Sequence, residues 1–375
     1  MKTSWADRFR IFLANRLYTS FFGMAVEEWF KLLRKHGFAV DAPYLPRAAL
    51  MTLTSVLTSL IGAYENRKYG PKLADVKVRP PLFILGHWRS GTTHLHNLLA
   101  QDEQFAYPNM WQVLNPHTFL TTERYSAIMK LAAPKTRLID NVTFANDVPS
   151  EDEFATCGSL CSPCVGWIFP QWVDHYDRYL TFRGVPEVEV DRWKAALILL
   201  YKKLTLKFGR PLVLKAPPHT GRIALLLEMF PDARFVHIHR DPFAVFLSAR
   251  RWIPVMERAS RLHNARSPED IDARIIRRYK ALYDAFFEER GLIPDGQFHE
   301  IRFEDLERDP VAQLRELYER LGIPGFEEFE PSLKQYVGSV SGYRKNEFPE
   351  LPTGLREKIA HAWERSFEEW GYLRD

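Results

Sequence analysis

Residues 81–99 read PLFILGHWRSGTTHLHNLL. Leu82 to Leu85 form an uncharged apolar run with no polar alternation, the pattern of a strand buried on both faces. After Gly91, helical spacing returns with Leu95, Leu98 and Leu99 on one side. Between the two lies a Gly-x-x-x-x-Gly turn from Gly86 to Gly91, followed by Thr92 and Thr93. Strand, glycine-bounded turn and helix start aim backbone N–H groups and the positive end of a helix at one point, which suits phosphate or sulfate. A nucleoside triphosphatase loop carries Lys directly after its second glycine and a hydroxyl on Mg²⁺. Here Thr92 stands in that place, and the nearest cation is Arg89, two residues before Gly91. A plain glycine turn packing a helix on a strand is the structural alternative.

The same grammar repeats outward. Leu212–Leu214, Arg234–His239 and Phe298–Phe303 read as further buried strands. Helical spacing marks Thr92–Ala100, Val190–Phe208, Gly221–Met229, Ala244–Arg251 and Asp270–Glu289. Strands alternating with helices give an α/β fold, P-loop-like and three-layer α/β/α, with a central parallel sheet and an N-terminal helical extension. Pro80-Pro81 marks the boundary between a helical region, 1–77, and a catalytic domain, 78–375. Residues 311–321 read as an amphipathic helix, 324–350 as loop and tail, and about 354–369 as a last helix. Ligands of such sheets bind beyond the carboxyl ends of the strands.

A second strand-to-helix passage, FVHIHRDPFAVFLSARR, occupies residues 235–251. Arg240 ends the strand and Ser248 lies eight residues on. The pair is placed to pinch a second, separate phosphate; a surface Arg-Asp pair is the plain alternative.

Composition bounds the partners. The chain has 375 residues, 46% hydrophobic and 26% charged, as in ordinary globular proteins. A net charge of +4 fits an anionic ligand or a membrane surface and is too weak for nucleic acid. Three cysteines fit a reducing compartment rather than a disulfide scaffold. Arg10, Asn15 and Arg16 break the first apolar stretch, so no secretory signal is expected and the cytoplasm is the expected location. Residues 8–35 are basic, aromatic and helical in pattern. Residues 47–64 carry a leucine stripe, Leu50, Leu53, Leu57 and Leu60, opposite Thr52, Ser55, Ser59 and Gly62. Two readings stand: a helical layer packed on the domain, or a helix pair resting peripherally on the inner face of a membrane. No feature reports oligomeric state.

Together the two phosphate motifs resemble the sulfotransferases that use 3'-phosphoadenosine 5'-phosphosulfate (PAPS), in particular bacterial-type members with an Arg-Ser-Gly-Thr-Thr loop. Arg89-Ser90-Gly91-Thr92-Thr93 matches the loop for the 5'-phosphosulfate. Arg240-Asp241-Pro242 with Ser248 matches the segment for the 3'-phosphate. Phe303-Glu304-Asp305-Leu306, Asp309-Pro310 and Leu321-Gly322 are similar to a third segment. Tyr343-Arg344-Lys345-Asn346 resembles the loop that closes over the 3'-phosphate. The resemblance spans roughly residues 82–346. It implies metal-free, in-line transfer of a sulfuryl group from PAPS to an acceptor hydroxyl. A donor with two separated phosphates needs two motifs, and it has no γ-phosphate for a loop Lys to manage. His94 stands where many members have Trp, and Phe303 where they have Tyr; both are candidates to line the adenine slot.

Arg89 and Lys215, at the end of PLVLKAPPH, are the cations expected at the reacting centre. The general base is sought in Glu151-Asp152-Glu153, where one carboxylate is expected to face inward while the others stay solvated. Glu151 and Glu153 rank ahead of Asp152, with His219 and His117 as rivals. Aromatic residues across 105–180 (Phe105, Tyr107, Trp111, Phe119, Phe144, Trp167, Phe169, Trp172) could roof a hydrophobic or lipid-like acceptor, or simply form core. Cys157, Cys161 and Cys164 have the spacing of a radical S-adenosylmethionine cluster motif. Pro163, where an aromatic residue is usual, and the absence of a repeated β/α pattern around it disfavour that reading, so no metal is expected. The alternatives are a P-loop nucleoside or small-molecule kinase, which needs the missing Lys, and a non-catalytic binding module.

Overall fold

The computed structural model describes residues 23–126, 148–264, 271–340 and 350–374. Among the described residues, the first long helices are α1 (Val26–Lys35) and α2 (Leu45–Ala74). Then β1 (Leu82–Leu85) leads through the glycine turn into α3 (Thr92–Leu99). The long α4 (Glu187–Phe208) precedes β2 (Val213–Lys215), and α5 (Ile223–Met229) precedes β3 (Arg234–His239). After β3 come α6 (Pro242–Ser260), α7 (Ile271–Glu289) and β4 (Phe298–Arg302). The chain ends in α8 (Phe303–Arg308), α9 (Pro310–Arg320), α10 (Phe326–Val340), α11 (Thr353–Ala362) and α12 (Glu364–Trp370).

Two compact units divide these elements. One gathers residues 78–107, 208–251 and 270–375, the other residues 1–77, 108–207 and 252–269. The first holds a four-stranded sheet in the order β2-β1-β3-β4, every neighbouring pair parallel. Alternate residues of the strands point to opposite faces. Leu82, Ile84, Val213, Val236, Ile238 and Ile301 pack beneath Leu95, Leu98 and Leu99 of α3 and the leucines of α8 and α9. The other face is aromatic. Phe83 stacks on Phe235 at 5.6 Å, and His237 on Phe286 of α7 at 4.2 Å. His239 lies flat against Trp370 of α12 at 4.8 Å. Both faces are covered, giving the α/β architecture expected from the strand runs.

The tail departs from expectation. Residues 324–350 do not read through as loop, because 326–340 form α10. Phe326, Phe329 and Leu333 are buried at helical spacing, and that spacing overrides Pro331 in the helix interior. The last helix breaks in two at Trp363. Its indole stacks on Tyr279 at 3.7 Å and donates to the Ile276 carbonyl at 3.1 Å, contacts a continuous helix would not have to serve.

In the second unit, α1 packs on the small-residue face of α2. The Val26 N–H donates to Ser59 Oγ and Trp29 Nε1 to Thr52 Oγ1, each at 2.9 Å. Glu65, inward on α2, meets Lys203 of α4 at 2.7 Å, both side chains buried. The leucine stripe of α2 faces outward: Leu53, Leu57 and Leu60 are 59%, 49% and 66% exposed. Phe119, Trp167 and Phe169 are buried core, and Cys157, Cys161 and Cys164 are buried thiols. Burial, reinforced by neighbouring Cys157, pushes the Cys164 thiol well above its ordinary range.

Candidate active site

Strand order decides which loops meet. The chain leaves β1 for β2 on one side and returns to β3 on the other, so the loops after β1 and β3 flank one crevice at the carboxyl edge of the sheet. The β1 loop carries Arg89 and runs into Thr92. β2 ends at Lys215, Arg240 follows β3, and Phe303 follows β4. Four strand ends thus bring together side chains scattered over more than half of the chain.

The β1 loop is tightly built. Gly86 and Gly91 have φ of +143° and +105°. A Cβ on Gly86 would lie 2.5 Å from the Ile238 carbonyl oxygen, and one on Gly91 2.3 Å from Phe303 Cδ2. Only glycine fits either place. Arg89 also takes a positive φ, 74°, which costs a non-glycine residue free energy and marks a conformation imposed by its surroundings.

Those surroundings are the second motif. Arg89 Nε donates to Ser248 Oγ at 2.8 Å, and Arg240 Nη1 approaches the Arg89 carbonyl at 3.4 Å. The Arg240 guanidinium sits 4.4 Å from the Phe303 ring centroid. Ser248 is buried, while Arg89 and Arg240 are half-buried. Two cations on adjacent strand ends, one tied to a serine and one stacked on a ring, form a rigid positive cluster. Lys215 adds a third cation. It is buried rather than a surface lysine, and its Nζ lies 3.5 Å from Thr93 Oγ1.

Fewer loop amides face outward than the glycine pattern alone implies. The Gly86 N–H donates to Thr220 Oγ1 at 2.7 Å and the His87 N–H to the Tyr283 hydroxyl at 3.2 Å. The Ser90 N–H and hydroxyl both donate to the His87 carbonyl, at 3.1 and 2.8 Å. Ser90 therefore braces the turn. In the first turn of α3, beginning at Thr92, helix geometry gives the N–H groups no intrahelical partner. Thr220 and Tyr283 are positioning residues with no signal in their local sequence. Glu304, from the Phe303-Glu304-Asp305-Leu306 segment, also positions: Oε1 accepts the Asp241 N–H at 3.2 Å and Oε2 the Tyr372 hydroxyl at 2.8 Å, fixing the start of α6. His94 is half-buried on α3, and burial lowers its pKa, keeping the ring neutral. His219 is buried edge-on against Phe83 at 5.5 Å. Arg344 and Lys345 lie outside the described residues, as do Phe144 and the first part of the 8–35 stretch.

The acidic triplet lies in the helical unit. It turns two carboxylates inward, not one: Asp152 and Glu153 are buried, and Glu151 is half-buried. The Tyr201 hydroxyl donates to Asp152, which gives that side chain a structural bond. Directly after the triplet, Phe154, Ala155, Cys157 and Gly158 join Gly23, Met24, Leu114 and Pro116 around a small, partly open recess of about 10 Å³ with polar and apolar atoms in its lining. His117 borders it: a Cβ on Gly158 would meet His117 Nε2 at 3.4 Å. Burial, with the nearby Lys203 charge, pulls the His117 pKa down to about 4.

A parallel sheet with a glycine turn opening a helix, a clustered Arg–Ser–Arg edge and a lysine at the next strand end presents a cationic edge suited to group transfer from an anionic donor. Residues 80–328 match the model of the sulfotransferase family, and the chain belongs to that family. It is a sulfotransferase. Over 356 residues it is 34% identical to the omega-hydroxy-beta-dihydromenaquinone-9 sulfotransferase Stf3 of Mycobacterium tuberculosis, covering 94% of this chain and 91% of that protein. Human carbohydrate sulfotransferase 5 is 25% identical over 324 residues, covering 80% and 75% of the two chains. Among solved structures, sulfotransferase STF9 of Mycobacterium avium superposes with a TM-score of 0.68 at 20% identity, covering 92% of this chain and 96% of that one. STF1 of M. tuberculosis superposes with a TM-score of 0.64 at 18% identity, covering 91% and 93%. These two likenesses concern the fold.

Proposed function

We propose that this enzyme takes its sulfuryl group from PAPS and delivers it to the hydroxyl of a hydrophobic, lipid-like acceptor. The observation that carries the donor is the Arg89–Ser248–Arg240 cluster beside the start of α3. It supplies two cationic places at adjacent strand ends, as a ligand with a 5'- and a 3'-anion needs. Protein packing fixes the shape of the cradle, since a Cβ on Gly86 or Gly91 would collide with Ile238 or Phe303. When bound, PAPS supplies an activated sulfuryl group whose departure leaves charge on the nucleotide. In this proposal Arg89, Thr92 and Thr93 hold the 5' end, with Ser90 bracing the turn. Lys215 stabilises the charge that develops there. Arg240 and Ser248 hold the 3'-phosphate, with His94 and Phe303 beside the base and Arg344 and Lys345 closing over it. Glu153, and Glu151 after it, are proposed to take the acceptor proton. No residue is assigned to a metal.

The acceptor reading rests on two supports. The small recess beside the acidic triplet includes the apolar side chains of Met24, Leu114 and Phe154. The relative that is 34% identical over nearly the whole chain bears the name of a menaquinone-derivative sulfotransferase. The test is calorimetric titration with 3',5'-adenosine bisphosphate in EDTA, with 5'-AMP and Mg-ATP as controls. Tight binding that collapses without the 3'-phosphate supports the donor. Preference for Mg-ATP overturns it in favour of a kinase. With the donor established, Gly158→Leu is expected to raise the acceptor KM at unchanged bisphosphate affinity.

A further inference from the structure

The α2 helix wears its apolar side outward. Leu53, Val56, Leu57, Leu60 and Tyr64 are 59%, 41%, 49%, 66% and 54% exposed. They recur every three or four residues and so form one face. With Leu45, 55% exposed, the face extends over about 30 Å at the helical rise. Singly exposed leucines are ordinary; a continuous stripe of this length marks an interaction surface. The helix cannot roll to hide it, because Met51, Ser55, Thr58, Glu65 and Leu73 are buried on the opposite side. Glu65 is pinned there by its ion pair with Lys203.

Charge along the same helix selects the occupant. Glu65 is the only acid between Leu45 and Ala74, and it points inward. Beyond Tyr64 the exposed positions turn basic: Arg67, Lys68 and Lys72. The Lys68 ammonium sits 5.8 Å from the Tyr64 ring centroid and 5.1 Å from that of Tyr69. A second copy docking through this face would bring a single exposed carboxylate, Asp75 at the helix end, to three cations. Lipid phosphates would pair with them while the leucines enter the acyl boundary. Within Ala42–Ala74 an 18-residue stretch with a mean hydropathy of 1.3 passes for a membrane span by length and composition. The buried Glu65–Lys203 pair instead holds one side in protein, which leaves lying flat as the geometry that satisfies both sides.

We propose that the outward face of α2 docks this enzyme in the plane of an anionic lipid bilayer, with Leu53, Leu57 and Leu60 inserted and Arg67, Lys68 and Lys72 on the headgroups. The inference stands independently of the acceptor assignment. The test is co-sedimentation of the full-length protein with vesicles of phosphatidylcholine alone or of equimolar phosphatidylcholine and phosphatidylglycerol. Anionic vesicles are expected to retain the wild type best, less so as salt rises. Leu57→Gln/Leu60→Gln is expected to weaken partitioning by about tenfold or more. Its melting temperature and adenosine bisphosphate binding should be unchanged, because both positions are solvent-exposed. Arg67→Gln/Lys68→Gln/Lys72→Gln is expected to erase the preference for anionic vesicles, at about fivefold per cation. Retention of the leucine variant at wild-type level would overturn the proposal, as would indifference of the triple variant to lipid charge. So would a wild type that ignores vesicles and forms a dimer which Leu57→Gln/Leu60→Gln dissociates.

Discussion

Arg89 carries two burdens at once: a left-handed backbone and a side chain tied to Ser248. The strain is tolerable because the flanking glycines and the Ser248 bond determine the loop around it. Ser248→Ala should therefore do more than remove the proposed contact to a phosphate. It unties the Arg89 guanidinium, and kcat/KM is expected to fall by about ten- to a hundredfold with the fold intact. Arg89→Lys is not expected to restore activity, since lysine has no Nε–H fork to give one bond to Ser248 and others to an anion. Steady-state kinetics on the pair checks both. Arg240→Ala should weaken 3',5'-adenosine bisphosphate by about 2–5 kcal/mol in a calorimeter, through the loss of a charged partner in the site. Normal binding would move the 3'-phosphate elsewhere. Gly91→Ala combines a disfavoured φ with a collision against Phe303, so a loss of about 1–3 kcal/mol of stability is expected by denaturant titration. Coupling to Phe303→Leu in a double-mutant cycle isolates the collision from the backbone term.

Elements were legible where burial speaks through period alone. The β1 strand, and β3 from Phe235 onward, are uninterrupted apolar or aromatic runs covered on both faces, and both strands end where the sequence reading put them. Helix α10 was hidden because Pro331 and three glutamates, Glu327, Glu328 and Glu330, mask its stripe of Phe326, Phe329 and Leu333. The Arg89 and Arg240 motifs were visible as separate stretches, but sequence spacing holds no trace of the Arg89–Ser248 bond, which exists because β1 and β3 are neighbours. Thr220 and Tyr283 stayed invisible for the same reason. On α2 both faces were legible, the small one and the leucine one, but not which of them the protein covers. That choice is fixed by partners such as Trp29, and by Lys203, whose burial lowers its pKa against the pull of Glu65. Lys203→Met leaves Glu65 a buried charge without its ion partner. A destabilisation of about 3–5 kcal/mol in urea unfolding is expected. Adding Glu65→Gln should recover part of it, and no recovery would show that lost packing, not the orphaned charge, sets the cost.

For the whole molecule, four histidines spread over both units set the response to acid. Burial pulls His36 and His117 down to about 4, and His87 and His239 to about 3, from an ordinary value of 6.5. Ring packing explains three of them. His36 is packed against Phe169 and Trp172, and its Nε2 lies 2.7 Å from the Tyr176 hydroxyl. His87 lies 5.0 Å from Tyr279, ring to ring, and His239 is sandwiched on Trp370. Between each folded pKa and 6.5 the unfolded chain holds the proton that the folded chain refuses, so stability rises with pH across that window and is lost as pH falls through it. Each group contributes a slope of up to about 1.4 kcal/mol per pH unit. Glu300 extends the loss to lower pH. Burial acts to raise its pKa, but the His237 hydrogen bond at 2.7 Å and the surrounding positive groups prevail and hold it at about 2. The melting temperature is therefore expected to be level above about pH 7 and to fall steadily from there toward pH 4, by many degrees in total. His239→Phe, which keeps a ring against Trp370 but cannot take a proton, should make that fall shallower. A melting temperature that stays flat down to about pH 5 would mean that these rings are hydrated in the folded protein and that the aromatic face of the sheet is looser than its stacking distances imply.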